Sequence, residues 1–195
     1  MSATGMVGPL QWPLYRQLDP KTYTCGNCGC LVGSGYGYSG SPLPADKVRR
    51  GALIYLCPNC GLPTVFHGEK QMPGVAYGAS VEHLPEEVAG LYAEARNRMA
   101  VNSYTAAVLA SRKLLMHIAV SQGGPNGGSF AACVDYLVES GSVPRNAHKW
   151  IDHIRKKGNE ANHEICLMAR RDAEGLLTFI EMLLKLVFEY PNKVP

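Results

Sequence analysis

The feature that most constrains this chain is a pair of near-identical motifs, Cys25-Gly-Asn-Cys28-Gly and Cys57-Pro-Asn-Cys60-Gly. Two cysteines separated by two residues can wrap one metal ion, because the turn between them aims backbone N–H groups at the sulfurs. The glycine after each second cysteine relieves crowding where the chain leaves the turn. Two such knuckles supply four sulfur ligands in a tetrahedron, the arrangement that suits Zn²⁺. Four thiolates leave no open coordination position, so the expected zinc is structural rather than catalytic. An iron–sulfur cluster also takes four cysteines, but the strand-forming residues around both pairs favour zinc. A redox Cys-x-x-Cys needs one pair inside a thioredoxin-type βαβ pattern, and that pattern is missing. The gap between the pairs is 28 residues, longer than usual for a ribbon, and a glycine-rich stretch absorbs the excess. Cys30 reads as a bystander thiol, and Cys133 and Cys166 as core residues of helices. Nothing requires His67 as a ligand while both pairs are intact.

Composition narrows the class further. The 195 residues carry a formal charge of +3 with 46% hydrophobic and 18% charged residues. A disordered chain would be less apolar and more highly charged. A net charge this small does not identify a nucleic-acid binder, which needs a concentrated basic patch. Residues 1–18 lack the charged start and apolar core of a secretion signal. The most apolar stretch, 176–188, is broken by Glu181 and Lys185 and falls short of the ~20 residues of a spanning helix. The expectation is a cytoplasmic protein without a membrane partner, whose thiols stay reduced and available to metal.

The chain changes character near residue 80. Residues 1–80 hold most of the glycines and five of the seven cysteines. The remainder is rich in Ala, Leu, Glu and Arg. The expected fold class is α+β: a small four-Cys zinc ribbon over 1–80, followed by an all-α helical bundle over 81–195, joined through 71–85. Residues 52–56 and 63–66 read as short strands flanking the second pair. Gly33, Gly35, Gly37 and Gly40 make 31–44 an expected mobile loop. Five helices are expected, at about 85–101, 103–121, 129–140, 145–163 and 172–190. Pro85 and Glu86 and Glu87 suit the start of the first. Asn102 or Ser103 caps the second, and Ser129 caps the third, which Gly141 stops. The last carries Leu176, Leu177, Ile180, Leu183, Leu184, Val187 and Phe188 on one stripe, an amphipathic core face. The second is apolar almost all round, including Leu109, so its Arg112 must find a partner or a wet cavity.

The fourth expected helix aligns Arg155, Asn159, Asn162 and His163 within roughly 100° of arc. A guanidinium there can bind phosphate and an imidazole can move a proton. A hydrogen-bonded polar seam between helices is the simpler account of the same residues.

Over residues 85–191 the sequence resembles the DUF4145 family, a branch of the HEPN-like helical domains. The resemblance rests on Leu91-Tyr-Ala-Glu-Ala-Arg96, Tyr104-Thr-Ala-Ala-Val-Leu-Ala-Ser-Arg112-Lys-Leu-Leu, Ile154-Arg155-Lys-Lys-Gly158-Asn159-Glu-Ala-Asn162-His163 and Asp172-Ala-Glu-Gly-Leu-Leu. The N-terminal ribbon is similar to the one often joined to this domain. The resemblance implies a HEPN-like bundle that commonly forms a homodimer. It also implies a setting in phage defence or toxin–antitoxin systems. Active HEPN domains cleave RNA without metal, using an Arg and a His that meet across the dimer. His163 matches the family His and Asn159 the polar residue beside the usual Arg. The Arg position itself is Gly158, and Arg155 lies one turn earlier on the same face.

Three functions are therefore open. One is an RNA- or protein-interaction module. Another is a metal-independent endoribonuclease using His163, Arg155 and Asn159. The third is a regulatory or scaffold subunit docking through the ribbon. Basic residues are scattered, with Lys47, Arg49 and Arg50 near the ribbon and 155–157 on the bundle. Tyr23, Tyr36, Tyr38 and Tyr55 can stack on bases or pack against the small zinc core.

Overall fold

A computed structural model describes residues 16–40, 52–143, 156 and 167–193. The chain divides into two compact units, Met1–Val75 and Ala76–Pro195. The first carries a β-sheet with the cysteine motifs and the second is all-α.

Among the described residues, the sheet is an antiparallel meander of five strands in chain order: β1 (Arg16–Thr24), β2 (Leu31–Gly40), β3 (Ala52–Leu56), β4 (Pro63–His67) and β5 (Lys70–Met72). Thr24 pairs with Leu31 and Leu56 with Pro63. Both cysteine motifs are therefore the turns of hairpins, β1–β2 and β3–β4. In a meander those two turns fall at one end of the sheet. Of the four tyrosines expected to pack there, Tyr23 and Tyr55 do so, whereas Tyr36 is exposed. Tyr23, Tyr55 and Phe66 are buried, with Phe66 edge-on to both tyrosines at 5.2 and 5.8 Å between centroids. Lys21 Nζ lies 4.6 Å above the Phe66 ring.

The expected loop at 31–44 is corrected over its described part, since 31–40 form β2. This strand pairs with β1 and β3. One of its glycines, Gly37, serves close approach to the neighbouring strand. A Cβ on Gly37 would lie 1.8 Å from the Ile54 carbonyl oxygen. β1, with Pro20 inside it, gave no alternating signal. The register shifts between Gln17 and Lys21, and an edge strand with a bulge tolerates a residue without an N–H.

The helical unit contains α1 (Glu86–Ala100), α2 (Tyr104–Ser121), α3 (Phe130–Glu139) and α4 (Arg170–Leu184), the last running on into a π turn at Lys185–Glu189. The expected fourth helix lies outside the described residues except for Lys156, which is helical and exposed. The helix ends follow local chemistry. Ser129 Oγ accepts from the Ala132 N–H at 3.2 Å, and Gly141 closes α3 at φ +78°. α4 begins two residues before the expected start, because the Asp172 carboxylate reaches back to the Ala169 N–H at 3.2 Å.

α2 packs against α1, α3 and α4 and forms the centre of the described core. Leu114, Leu115, Ile118 and Ala119 meet Leu176, Phe179, Ile180, Leu183 and Leu184 there. Leu109 departs from the expected all-round burial and stays 42% exposed. Arg112 is 8% exposed, and its guanidinium lies 4.1 Å over the Phe130 ring. A cation over an aromatic face offsets part of its desolvation. Its Nη1 has no hydrogen-bond partner among the described residues.

Residues 77–82 run along the helices as a strap. Arg96 Nε donates to the Tyr77 carbonyl at 2.8 Å and Nη2 to that of Gly78 at 2.6 Å. Tyr92 Oη donates to the Ala79 carbonyl at 2.9 Å. Glu181 Oε2 accepts the Ala79 N–H at 2.9 Å, and Glu189 Oε2 accepts that of Glu82 at 3.1 Å.

Candidate metal centre

Each knuckle is built by the same two backbone hydrogen bonds. Gly29 N donates to the Cys25 carbonyl at 2.8 Å and Cys25 N to that of Cys30 at 2.9 Å. Gly61 N donates to Cys57 at 2.8 Å and Cys57 N to Leu62 at 3.0 Å. Gly29 and Gly61 sit at φ +73° and +72°. That left-handed conformation, which glycine adopts without penalty, is why both motifs end in it. Gly26 has a different reason. A Cβ there would stand 2.2 Å from the Pro73 carbonyl oxygen, where the chain after β5 backs the first knuckle.

The turns bring the Sγ atoms of Cys25, Cys28, Cys57 and Cys60 within 4.8 Å of one another. Cys25 and Cys60 are 3.9 Å apart, and Cys28 and Cys57 are 3.8 Å apart. A tetrahedral site with metal–sulfur bonds of 2.3 Å has sulfur–sulfur edges of about 3.8 Å. The four residues therefore fit one tetrahedral ion and could chelate it. Cys25 and Cys57 are fully buried, while Cys28 and Cys60 are half-buried.

The electrostatics of the four thiols would favour a cation among them. Burial opposes ionisation of Cys28, but the Cys30 amide and the Asn59 side chain outweigh it and bring the thiol down to about 6. Burial pushes Cys60 up to about 12, with neighbouring sulfurs adding to the rise. Four thiolates cannot coexist at this spacing without a compensating positive charge.

Two contributors escaped the sequence reading. Asn59 Nδ2 donates to Cys28 Sγ at 3.5 Å and to Cys30 Sγ at 3.3 Å, tying one knuckle to the other. Asn27 Nδ2 donates to the Pro63 carbonyl at 3.2 Å across the same gap. The signal was present, because Asn precedes the second cysteine of both motifs. Cys30 is exposed and outside the set of four, and Cys133 is buried in the helical core. Arg155, Asn159, His163 and Cys166 lie outside the described residues.

A four-cysteine centre on a small sheet, followed by a helical bundle, defines the class of this protein. Residues 93–194 match the model of the domain of unknown function DUF4145, which spans just over half the chain. The chain belongs to the DUF4145 family. No curated protein and no solved structure matches it. Among the described residues, no helix is long and apolar enough to cross a membrane.

Proposed function

We propose that the protein is a cytoplasmic RNA-interaction module, in which a structural zinc ribbon stands before a HEPN-like bundle that forms a homodimer. The observation that carries the zinc reading is the closed sulfur tetrahedron, which has ligands enough to hold Zn²⁺ and no vacant position for a substrate. Chemistry at the metal is not part of this function. Zinc fixes the two hairpin turns and hence the sheet they end.

The sheet then presents the contact surface. A groove of about 380 Å³ is lined by Asp19, Lys21, Leu53, Tyr55 and Phe66. A neighbouring one of about 340 Å³ shares Asp19, Leu53 and Tyr55 and adds Arg16. The two cations, Lys21 and Arg16, suit the phosphates of a single strand of RNA. Defence against phage or a toxin–antitoxin pair is the setting this reading suggests.

Anisotropy of labelled single-stranded RNA at increasing salt tests it. Binding should weaken with salt, and Lys21→Ala should reduce the salt slope by about 0.7, the share of one phosphate contact. No RNA binding at any salt, together with retention of a partner protein that ribbon deletion abolishes, would replace RNA with protein docking.

A second reading is a metal-independent endoribonuclease built on Arg155, Asn159 and His163, which lie within the region matched by the family model. His163 would move the proton, Arg155 would stabilise charge on the phosphorane and Asn159 would position the phosphate. Cleavage of labelled RNA in EDTA, lost in His163→Ala, would establish it. Cleavage that persists in the variant would remove it.

A further inference from the structure

A fifth sulfur stands beside the metal set. Cys30 is exposed, unlike the buried Cys25 and Cys57. Its Sγ lies 3.8 Å from the Cys28 carbonyl oxygen. Asn59 Nδ2 donates to both Cys30 Sγ and Cys28 Sγ, at 3.3 and 3.5 Å, so one amide holds the two sulfurs on the same side of the knuckle. Only Gly29 separates the two residues, and its left-handed backbone at φ +73° turns the chain between them. Cys30 contributes nothing to the tetrahedron, which is complete without it.

From this arrangement we infer that Cys30 is a redox trigger for the metal centre, pairing with Cys28 under peroxide and releasing the ion. The inference rests on the zinc reading above. Peroxide meets the exposed sulfur first. The O–O bond breaks, Cys30 takes one oxygen as a sulfenic acid, and the other leaves as water. The Cys28 thiolate then attacks the Cys30 sulfur. An S–S bond forms, the S–O bond breaks, and hydroxide departs. Cys28 and Cys30 have together lost two electrons and peroxide has gained them. The lone pair that held the metal is now in the disulfide. Three sulfurs remain for an ion that needs four ligands, so its affinity falls. Thiol reductants return both cysteines and rebuild the site.

The test uses the full-length protein, purified with its metal, and Cys30→Ser beside it. Metal content is measured first in both. Peroxide is then added, release is followed with a chromophoric zinc chelator, and disulfides are located by peptide mass mapping. Release should be several-fold faster in the wild type, with Cys28 joined to Cys30. Addition of dithiothreitol and zinc should restore the starting content. Equal release rates in the two proteins, or Cys28 joined to a different cysteine in the wild type, would overturn the trigger while leaving the zinc reading in place. A wild-type protein purified without metal, and unable to take up zinc, would remove the zinc reading and the trigger with it.

Discussion

Asn27 and Asn59 occupy equivalent places in the two knuckles, and only Asn59 reaches the sulfur of the opposite one. An amide that donates to a thiolate ligand strengthens a metal site through its surroundings. Asn59→Ala should therefore weaken metal affinity on the order of tenfold, read by competition with a chelator of known affinity. The two kinds of knuckle glycine should respond differently to a methyl group. Gly29→Ala meets open space at φ +73° and should cost about 1 kcal/mol of strain. Gly26→Ala meets a backbone oxygen at 2.2 Å, so the chain after β5 must move and metal retention should fail. Thermal melts of both variants with and without chelator separate these effects. The clustering of the four cysteines was legible in the sequence because cysteine spacing is a local property. Gly26 was not, because its constraint comes from Pro73, nearly 50 residues further along the chain.

At the scale of elements, the helices were legible to within a residue or two wherever a cap or stop sits in the sequence, as Ser129 and Gly141 do for α3. Ser129→Ala should lower stability by about 1 kcal/mol. Phe179→Ala, which empties a fully buried site on α4, should cost about 3–5 kcal/mol. Denaturant titration of each variant compares the two. β2 was illegible for the opposite reason, since glycine reads locally as a loop and its use here depends on a neighbouring strand. The strap at 77–82 supplies a pH dependence. Burial alone would raise the Glu181 carboxyl, but Lys185, the Ala79 amide and Arg96 bring it below its ordinary value of 4.5. Lys193 and the Glu82 amide lower Glu189 in the same sense. Depressed carboxyls contribute stability that is complete above the ordinary value and lost as pH falls below it. Stability should therefore drop as pH is taken below about 4.5, and Glu181→Gln should flatten that acid limb in pH-dependent denaturation.

For the whole molecule, the two cores differ in self-sufficiency. Among the described residues, the sheet's buried hydrophobic cluster is six residues, two of them cysteines of the four-Cys cluster, whereas the helical cluster is several times larger. A core that small needs a staple. Removing the metal with a strong chelator should melt the sheet and leave the helical circular dichroism largely in place. Coincident loss of both signals would show that the bundle depends on the ribbon. The meander has one more consequence. The two knuckles close one end of the sheet, and the β2–β3 connection leaves from the other, between Gly40 and Ala52, which pair in the ladder. A guest sequence spliced into that connection would enter and leave through neighbouring residues already held together. Each doubling of its length would add only about 0.6 kcal/mol of closure entropy. Gly40 and Ala52 thus offer reporters, tags or whole domains a paired point of attachment at the end of the sheet away from the sulfurs.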